Sequence, residues 1–141
     1  MSNPGSQNPK SIGTALVDRR PILRAMFNPH AIALIGATEA PDSVGRTFME
    51  NLLSYDRPLY PVNPKRNSVL GVKAFPKIAD VPAAVDLAII GTPAITVPDI
   101  IGECAAAGVT GAVIVSAGFR ETGARGRNSR KRYLPAVVGC A

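Results

Sequence analysis

The sequence predicts a Rossmann-like α/β fold: a parallel sheet with helices on both faces, in a single domain. Three observations carry this. Three short apolar runs, Ala31 to Ile35, Asp86 to Ile90 and Ala112 to Val115, are bounded by turn residues and read as strands buried on both faces. Segments with helical apolar spacing lie between the runs, and such alternation gives a parallel sheet with crossover helices. At 141 residues the chain has length for one core and not two.

Taken in order, residues 1–19 read as a flexible, polar leader, and 20–126 as the folded domain. Arg20 to Phe27 is a short helix with Pro21 in its first turn, where a missing N–H does no harm; Asn28-Pro29 ends it. The first strand, Ala31 to Ile35, runs into a tight turn at Gly36. A helix over Val44 to Ser54 follows, capped by Ser43 or Asp42, with Val44, Phe48, Met49, Leu52 and Leu53 on one face. Leu59 to Val62 is the second strand, stopped by Asn63-Pro64. Residues 65–85 lack helical periodicity, and Val72 to Phe75 form a short strand there. After the strand at Asp86 to Ile90, a helix over Thr96 to Ala107 buries Val97, Ile100, Ile101, Cys104 and Ala105; Pro98 must lie in its first turn and Gly108 ends it. Residues 127–141 are a basic segment in which Pro135 to Val138 can add an edge strand.

Charge narrows the function. The net charge is +6, but Arg120, Arg125, Arg127, Arg130, Lys131 and Arg132 against Glu121 alone place +5 of it after residue 119. The rest of the chain is nearly neutral and has few aromatics, which argues against nucleic acid as partner. No apolar run approaches the length of a bilayer span. Cys104 and Cys140 have no metal-site or disulfide spacing, so the expected setting is the cytoplasm. Cys104 reads as a buried, inert thiol.

Three strands end in turns suited to close backbone approach: Gly36, Gly91-Thr92-Pro93 and Ser116-Ala117-Gly118. In a parallel sheet these share the edge where open α/β sheets bind ligands. The first turn is Gly36-Ala37-Thr38-Glu39-Ala40-Pro41-Asp42-Ser43-Val44-Gly45. Its two glycines are nine positions apart, longer than the strict dinucleotide fingerprint, yet it still opens into a helix N-terminus that favours an anion such as a diphosphate. The second strand carries none of the acid that an NAD site places there. It is followed instead by Asn63-Pro64-Lys65-Arg66, whose cations suit an extra phosphate on the adenosine ribose. Both NADP and coenzyme A have one, so an NADP-binding oxidoreductase domain and a ligand-sensing scaffold stand as alternatives to a CoA-binding module. A side chain at Gly45 is expected to block the diphosphate while leaving the fold intact.

The string from Phe27 to Thr38, with Ser43-Val44-Gly45, Tyr60 to Lys65, Leu70 to Pro76, Val85 to Ile90 and Ser116 to Phe119, resembles the CoA-binding domain of NDP-forming acyl-CoA synthetases. That group includes ADP-forming acetate–CoA ligases and, more distantly, the succinyl-CoA ligase α chain. The resemblance covers residues 24–126. It implies that the loop from Gly36 to Gly45, including Ala37, Thr38, Ser43 and Val44, cradles the diphosphate of CoA or acyl-CoA. It places Asn63, Pro64 and Lys65 at the adenosine end, with Gly91, Thr92, Pro93, Ser116, Ala117 and Gly118 along the rest of the cofactor. It also implies an ATP-grasp ligase subunit or downstream domains as partner. The family's full reaction passes a phosphate through a histidine on a later domain. Here His30 is the sole histidine and precedes the first strand, at the edge opposite the groove, so no catalytic residue is expected in this chain. Residues 127–141 depart from the family pattern.

Overall fold

The computed structural model describes residues 18–116 and 136–139. Helix α1 spans Arg20–Phe27, with Pro21 in its first turn. Just before it, Asp18 accepts the Arg20 N–H (3.1 Å) and pairs with the Arg20 guanidinium (2.9 Å), which holds the Asp18 carboxyl below its usual range. Strand β1 is Ile32–Ile35, α2 is Val44–Leu53 and β2 is Leu59–Val62. Two short strands follow, β3 (Ser68–Val69) and β4 (Val72–Lys73), then β5 (Leu87–Ile90), α3 (Val97–Ala106), β6 (Gly111–Ile114) and β7 (Ala136–Gly139).

The main sheet has the order β2-β1-β5-β6-β7. The first four strands are parallel, with Ile32 opposite Leu59 and Leu87, and Leu87 opposite Gly111. The edge strand expected near Pro135 to Val138 is β7, and it runs antiparallel to β6, pairing Ala112 with Val138. Backbone pairing therefore reaches beyond residue 126. β2 tolerates Pro61 because the Pro61 carbonyl faces outward to the Phe75 N–H (2.9 Å), so its missing N–H falls on the side away from β1.

The two faces of the sheet build separate halves of the core. Ala33, Ala88 and Ala112 stand in register across β1, β5 and β6. This row of small side chains, with Ile35, Ile90 and Ile114, packs against Val97 and Cys104 of α3 and against Ile78 and Val85. On the other face Ile32, Leu34, Leu87 and Ile89 meet Met49 and Phe48 of α2 and Met26 of α1. Helices thus cover both faces, as the alternating pattern requires. Within α3 the predicted face is only partly sealed: Val97 and Cys104 are buried, Ile100 and Ile101 half-buried, and Ala105 exposed. The helix ends in paired bonds, Gly108 N–H to the Ala105 carbonyl (3.1 Å) and Val109 N–H to the Cys104 carbonyl (3.0 Å), with Gly108 at φ +79°. This is the Schellman stop that glycine favours.

The crossover between β2 and β5 has no α-helix. It holds the β3–β4 hairpin and a single 3₁₀ turn at Ile78–Asp80. The strand expected over Val72 to Phe75 is shorter, and it pairs with Ser68–Val69 rather than with the main sheet. Phe75 instead makes one parallel bridge to Val62. Among the described residues no helix is long and apolar enough to cross a membrane.

Candidate functional site

The chain leaves β1 to form β2 on one side and returns to form β5 on the other. Order reverses between β1 and β5, and α2 and α3 leave that point toward opposite faces of the sheet. Such a reversal opens a crevice at the carboxyl ends of the strands.

Glycines make the crevice possible. Gly36 has φ +88°, and a Cβ there would lie 3.0 Å from Thr92 Cγ2 and 3.1 Å from the Gly91 carbonyl carbon. The turns after β1 and β5 are therefore in backbone contact, stitched by the Gly91 N–H to the Ile35 carbonyl (2.8 Å). Gly45, at the start of α2, is tighter: a Cβ would fall 2.1 Å from the Gly36 carbonyl oxygen. This corrects the expectation that added bulk at Gly45 only blocks a ligand. The side chain would strike backbone of the chain's own first turn, so the fold itself depends on Gly45.

Loop side chains hold the backbone in shape. Ser43 caps α2 by accepting the Arg46 N–H (3.2 Å) and donates to the Ala40 carbonyl (2.7 Å). Thr38 Oγ1 accepts the Ala40 N–H (3.2 Å). Val44 and Gly45 are the first two residues of α2, and their N–H groups lie ahead of the intrahelical ladder. Ala37 is fully buried in the core, so its side chain is structural while its carbonyl accepts the Asn63 amide (2.7 Å). Asn63 Oδ1 in turn accepts the Lys65 N–H (2.8 Å). One side chain thereby ties the first loop to the turn that presents Lys65. Pro64 is exposed beside it, as is Pro93 after β5.

The two adjacent cations differ. Arg66 lies 3.5 Å from Glu39. Lys65 is exposed, and among the described residues no carboxylate pairs with it. Ser116 is buried and donates to the Thr92 carbonyl (3.0 Å), which binds the third turn to the second. Ala117 and Gly118 lie outside the described residues. His30 is exposed at the far edge, where its N–H bonds to the Asp86 carboxylate; Cys104 is buried on the core-facing side of α3, and Cys140 is outside the described residues. Among the described residues no cluster of His, Cys, Asp or Glu could hold a metal ion. A cleft of about 260 Å³ lies between Ile78, Val81, Val85, Ala106 and Ala107. The ends of α3 and the start of β5 place it at the edge away from the glycine turns.

Two residues in and beside the first turn, Glu39 and Arg46, were given no role by the sequence. Glu39 accepts the Leu70 N–H at 2.7 Å. Arg46 donates to the Glu39 carbonyl (2.9 Å) and pairs with Glu50 (2.8 Å). An acid inside a loop expected to hold an anion was the available signal, since it needs a partner to be tolerated.

Residues 30–134 match the family model of the CoA-binding domain. The chain belongs to this family. It is 42% identical over 116 residues to the ADP-forming acetate–CoA ligase II of Archaeoglobus fulgidus, covering 81% of this chain and 17% of that protein. It is also 42% identical over 114 residues to the α subunit of the Pyrococcus furiosus ADP-forming acetate–CoA ligase II, covering 80% and 25%. The dinucleotide-forming acetyl-coenzyme A synthetase 1 of Ca. Korarchaeum cryptofilum, solved with phosphate and ADP, superposes with a TM-score of 0.68 and 40% identity over 73% of this chain and 23% of that one. The CoA-binding domain thus spans about a quarter or less of the length of these relatives.

Proposed function

We propose that the chain binds coenzyme A, free or acylated, along the crevice at the carboxyl edge of the sheet. The diphosphate lies against the loop from Gly36 to Gly45 and the first N–H groups of α2. Lys65, presented by Asn63 and Pro64, faces the phosphate on the adenosine ribose. The remainder of the cofactor runs past Gly91-Thr92-Pro93 toward Ser116-Ala117-Gly118, with residues 20–126 as the binding unit. The observation that carries this reading is the pairing of a glycine-packed reversal point with an exposed cation, Lys65, unpaired among the described residues and tied by Asn63 to that same loop. The residues fit the group: backbone donors and a helix N-terminus suit a diphosphate, and an exposed ammonium suits a second phosphate as a point charge.

Bound there, coenzyme A supplies a thiol able to form a thioester. This chain orients it and leaves the bond-making to a partner, since His30 sits at the opposite edge. That partner is an ATP-grasp-type ligase subunit or further domains of the same polypeptide, in the cytoplasm. Relatives that carry the name of an α subunit support the arrangement.

Titration calorimetry with CoA, dephospho-CoA and NADP tests the reading. CoA should bind most tightly. Lys65→Ala should cost about tenfold or more in CoA affinity, the worth of a charge-assisted contact, and leave dephospho-CoA unchanged. No heat with CoA at millimolar concentration overturns the proposal, and tighter binding of NADP transfers the site to a dinucleotide.

A further inference from the structure

We propose that Glu39 is a positioning residue that pre-forms the ligand loop by clasping it to the β3–β4 hairpin, and that in doing so it leaves Lys65 as the cation available to the ribose phosphate. The second half rests on the CoA reading above.

The hairpin turn is unusual in its residues. Leu70 and Gly71 both have positive φ, +47° and +80°, as a two-residue turn between twisted strands demands. Glycine accepts that conformation, but leucine does so only under strain. The Leu70 N–H donates to Glu39 Oε1 at 2.7 Å across 31 positions of chain, a charge-assisted bond of the stronger kind. The hairpin is itself anchored, because Val69 is fully buried and Leu70 packs in the same cluster as Phe48 and Met49 of α2. Glu39 therefore grips a rigid body.

The same residue is held on two other sides. Arg46 Nη1 bonds to its carbonyl at 2.9 Å, and Arg66 approaches its second carboxylate oxygen at 3.5 Å. Together with the Asn63 bond to Ala37, this fixes the loop at both Ala37 and Glu39, in a stretch without regular secondary structure. A loop fixed in advance loses less freedom when its ligand arrives. The Arg66 pair is about 40% exposed on each side and contributes little as an ion pair. Its effect is to occupy Arg66, while no carboxylate among the described residues pairs with Lys65. The clasp is thus chiefly the bond to Leu70, and a neutral acceptor of the same shape should replace it.

The test uses the whole 141-residue chain and the variants Glu39→Ala, Glu39→Gln and Lys65→Ala. Amide exchange is read without ligand, and calorimetry with CoA and with dephospho-CoA. Glu39→Ala should expose the Leu70 amide to exchange and weaken both ligands by the same factor, about tenfold for a lost bond to a charged group. Glu39→Gln should keep Leu70 protected and restore affinity to within about threefold. Unchanged Leu70 exchange and affinity in Glu39→Ala, with a CoA-specific loss in Lys65→Ala, would overturn the clasp and leave the CoA site standing. Equal losses in Glu39→Gln and Glu39→Ala would also overturn it, by assigning the effect to charge. Absence of CoA binding by the parent chain would remove the CoA reading, and the Leu70 exchange rates would still decide the clasp.

Discussion

The two edges of the sheet are closed by different means. At the amino edge a single aspartate does much of the joining. The Asp86 carboxylate accepts the His30 N–H, while the Asp86 backbone bonds to Ala31 (3.2 Å), Thr110 (3.1 Å) and Gly111 (2.9 Å). One residue thus links the entries to β1, β5 and β6. At the carboxyl edge the turns pack through glycine backbone, Gly36, Gly45 and Gly91 meeting without any Cβ between them, and the Asn63 and Ser116 side chains add bonds to the Ala37 and Thr92 carbonyls. The Glu39 carboxylate of the first loop is turned to the hairpin, where it accepts the Leu70 N–H (2.7 Å). Glycine lets the turns touch, and the Gly36 and Gly91 N–H groups are used within the sheet, bonding to the Val62 (3.0 Å) and Ile35 (2.8 Å) carbonyls. The amino edge is drawn together through one residue, and the carboxyl edge through close contact between glycine turns.

The largest expected effect breaks the carboxyl edge. Gly45→Val puts a branched side chain where even a Cβ would lie 2.1 Å from the Gly36 carbonyl oxygen. Backbone must move, so stability should fall by upwards of ~3 kcal/mol, read from the urea midpoint. A variant as stable as the parent that merely loses CoA would mean the glycine serves the ligand alone.

Asp86→Ala sharpens the comparison from the other side. Its backbone bonds survive the substitution, and only the carboxylate contact to the His30 N–H is removed. The expected loss is about 1–3 kcal/mol, the scale for a hydrogen bond to a charged group. CoA affinity should stay within about twofold if the two edges are independent, as sites without shared partners are. A large affinity loss in a folded Asp86→Ala protein would show that the edges are coupled through β5.

Much of this was legible in the residues. β1 stood out because Pro29 and Gly36 bracket a run too short for a helix and apolar on both faces. The start of α2 was legible from Ser43, and the end of α3 from Gly108, because capping chemistry is local. The hairpin was half legible. Val72 reads as a strand residue, but nothing local puts Leu70 at positive φ; the bond from Glu39 that steadies it comes from 31 positions away. The antiparallel direction of β7 was likewise invisible, since an apolar run does not declare its sense. At the candidate site, the gathering of the turns after β1, β5 and β6 was legible because the ends of parallel strands share one edge of the sheet. The packing of Gly45 on Gly36 was not, because a glycine needed by a ligand and one needed by a neighbouring backbone look alike in sequence.

That ambiguity gives the smallest expected effect its use. Gly102 lies inside α3, between the two edges, with φ unremarkable and nothing within 4 Å of an added Cβ. It takes no part in the contact between turns. Glycine in a helix interior costs about 0.5–1 kcal/mol relative to alanine through its extra freedom in the unfolded chain. Gly102→Ala should therefore raise stability by about that much, with CoA affinity unchanged. The sign is the informative part. A Cβ at Gly45 must destabilise because space is missing, and a Cβ at Gly102 must stabilise because space is present. If Gly102→Ala lowered stability, the open surface over the middle of α3 would be covered in solution. In that case the contrast between glycines that serve the crevice and glycines that do not would have to be redrawn.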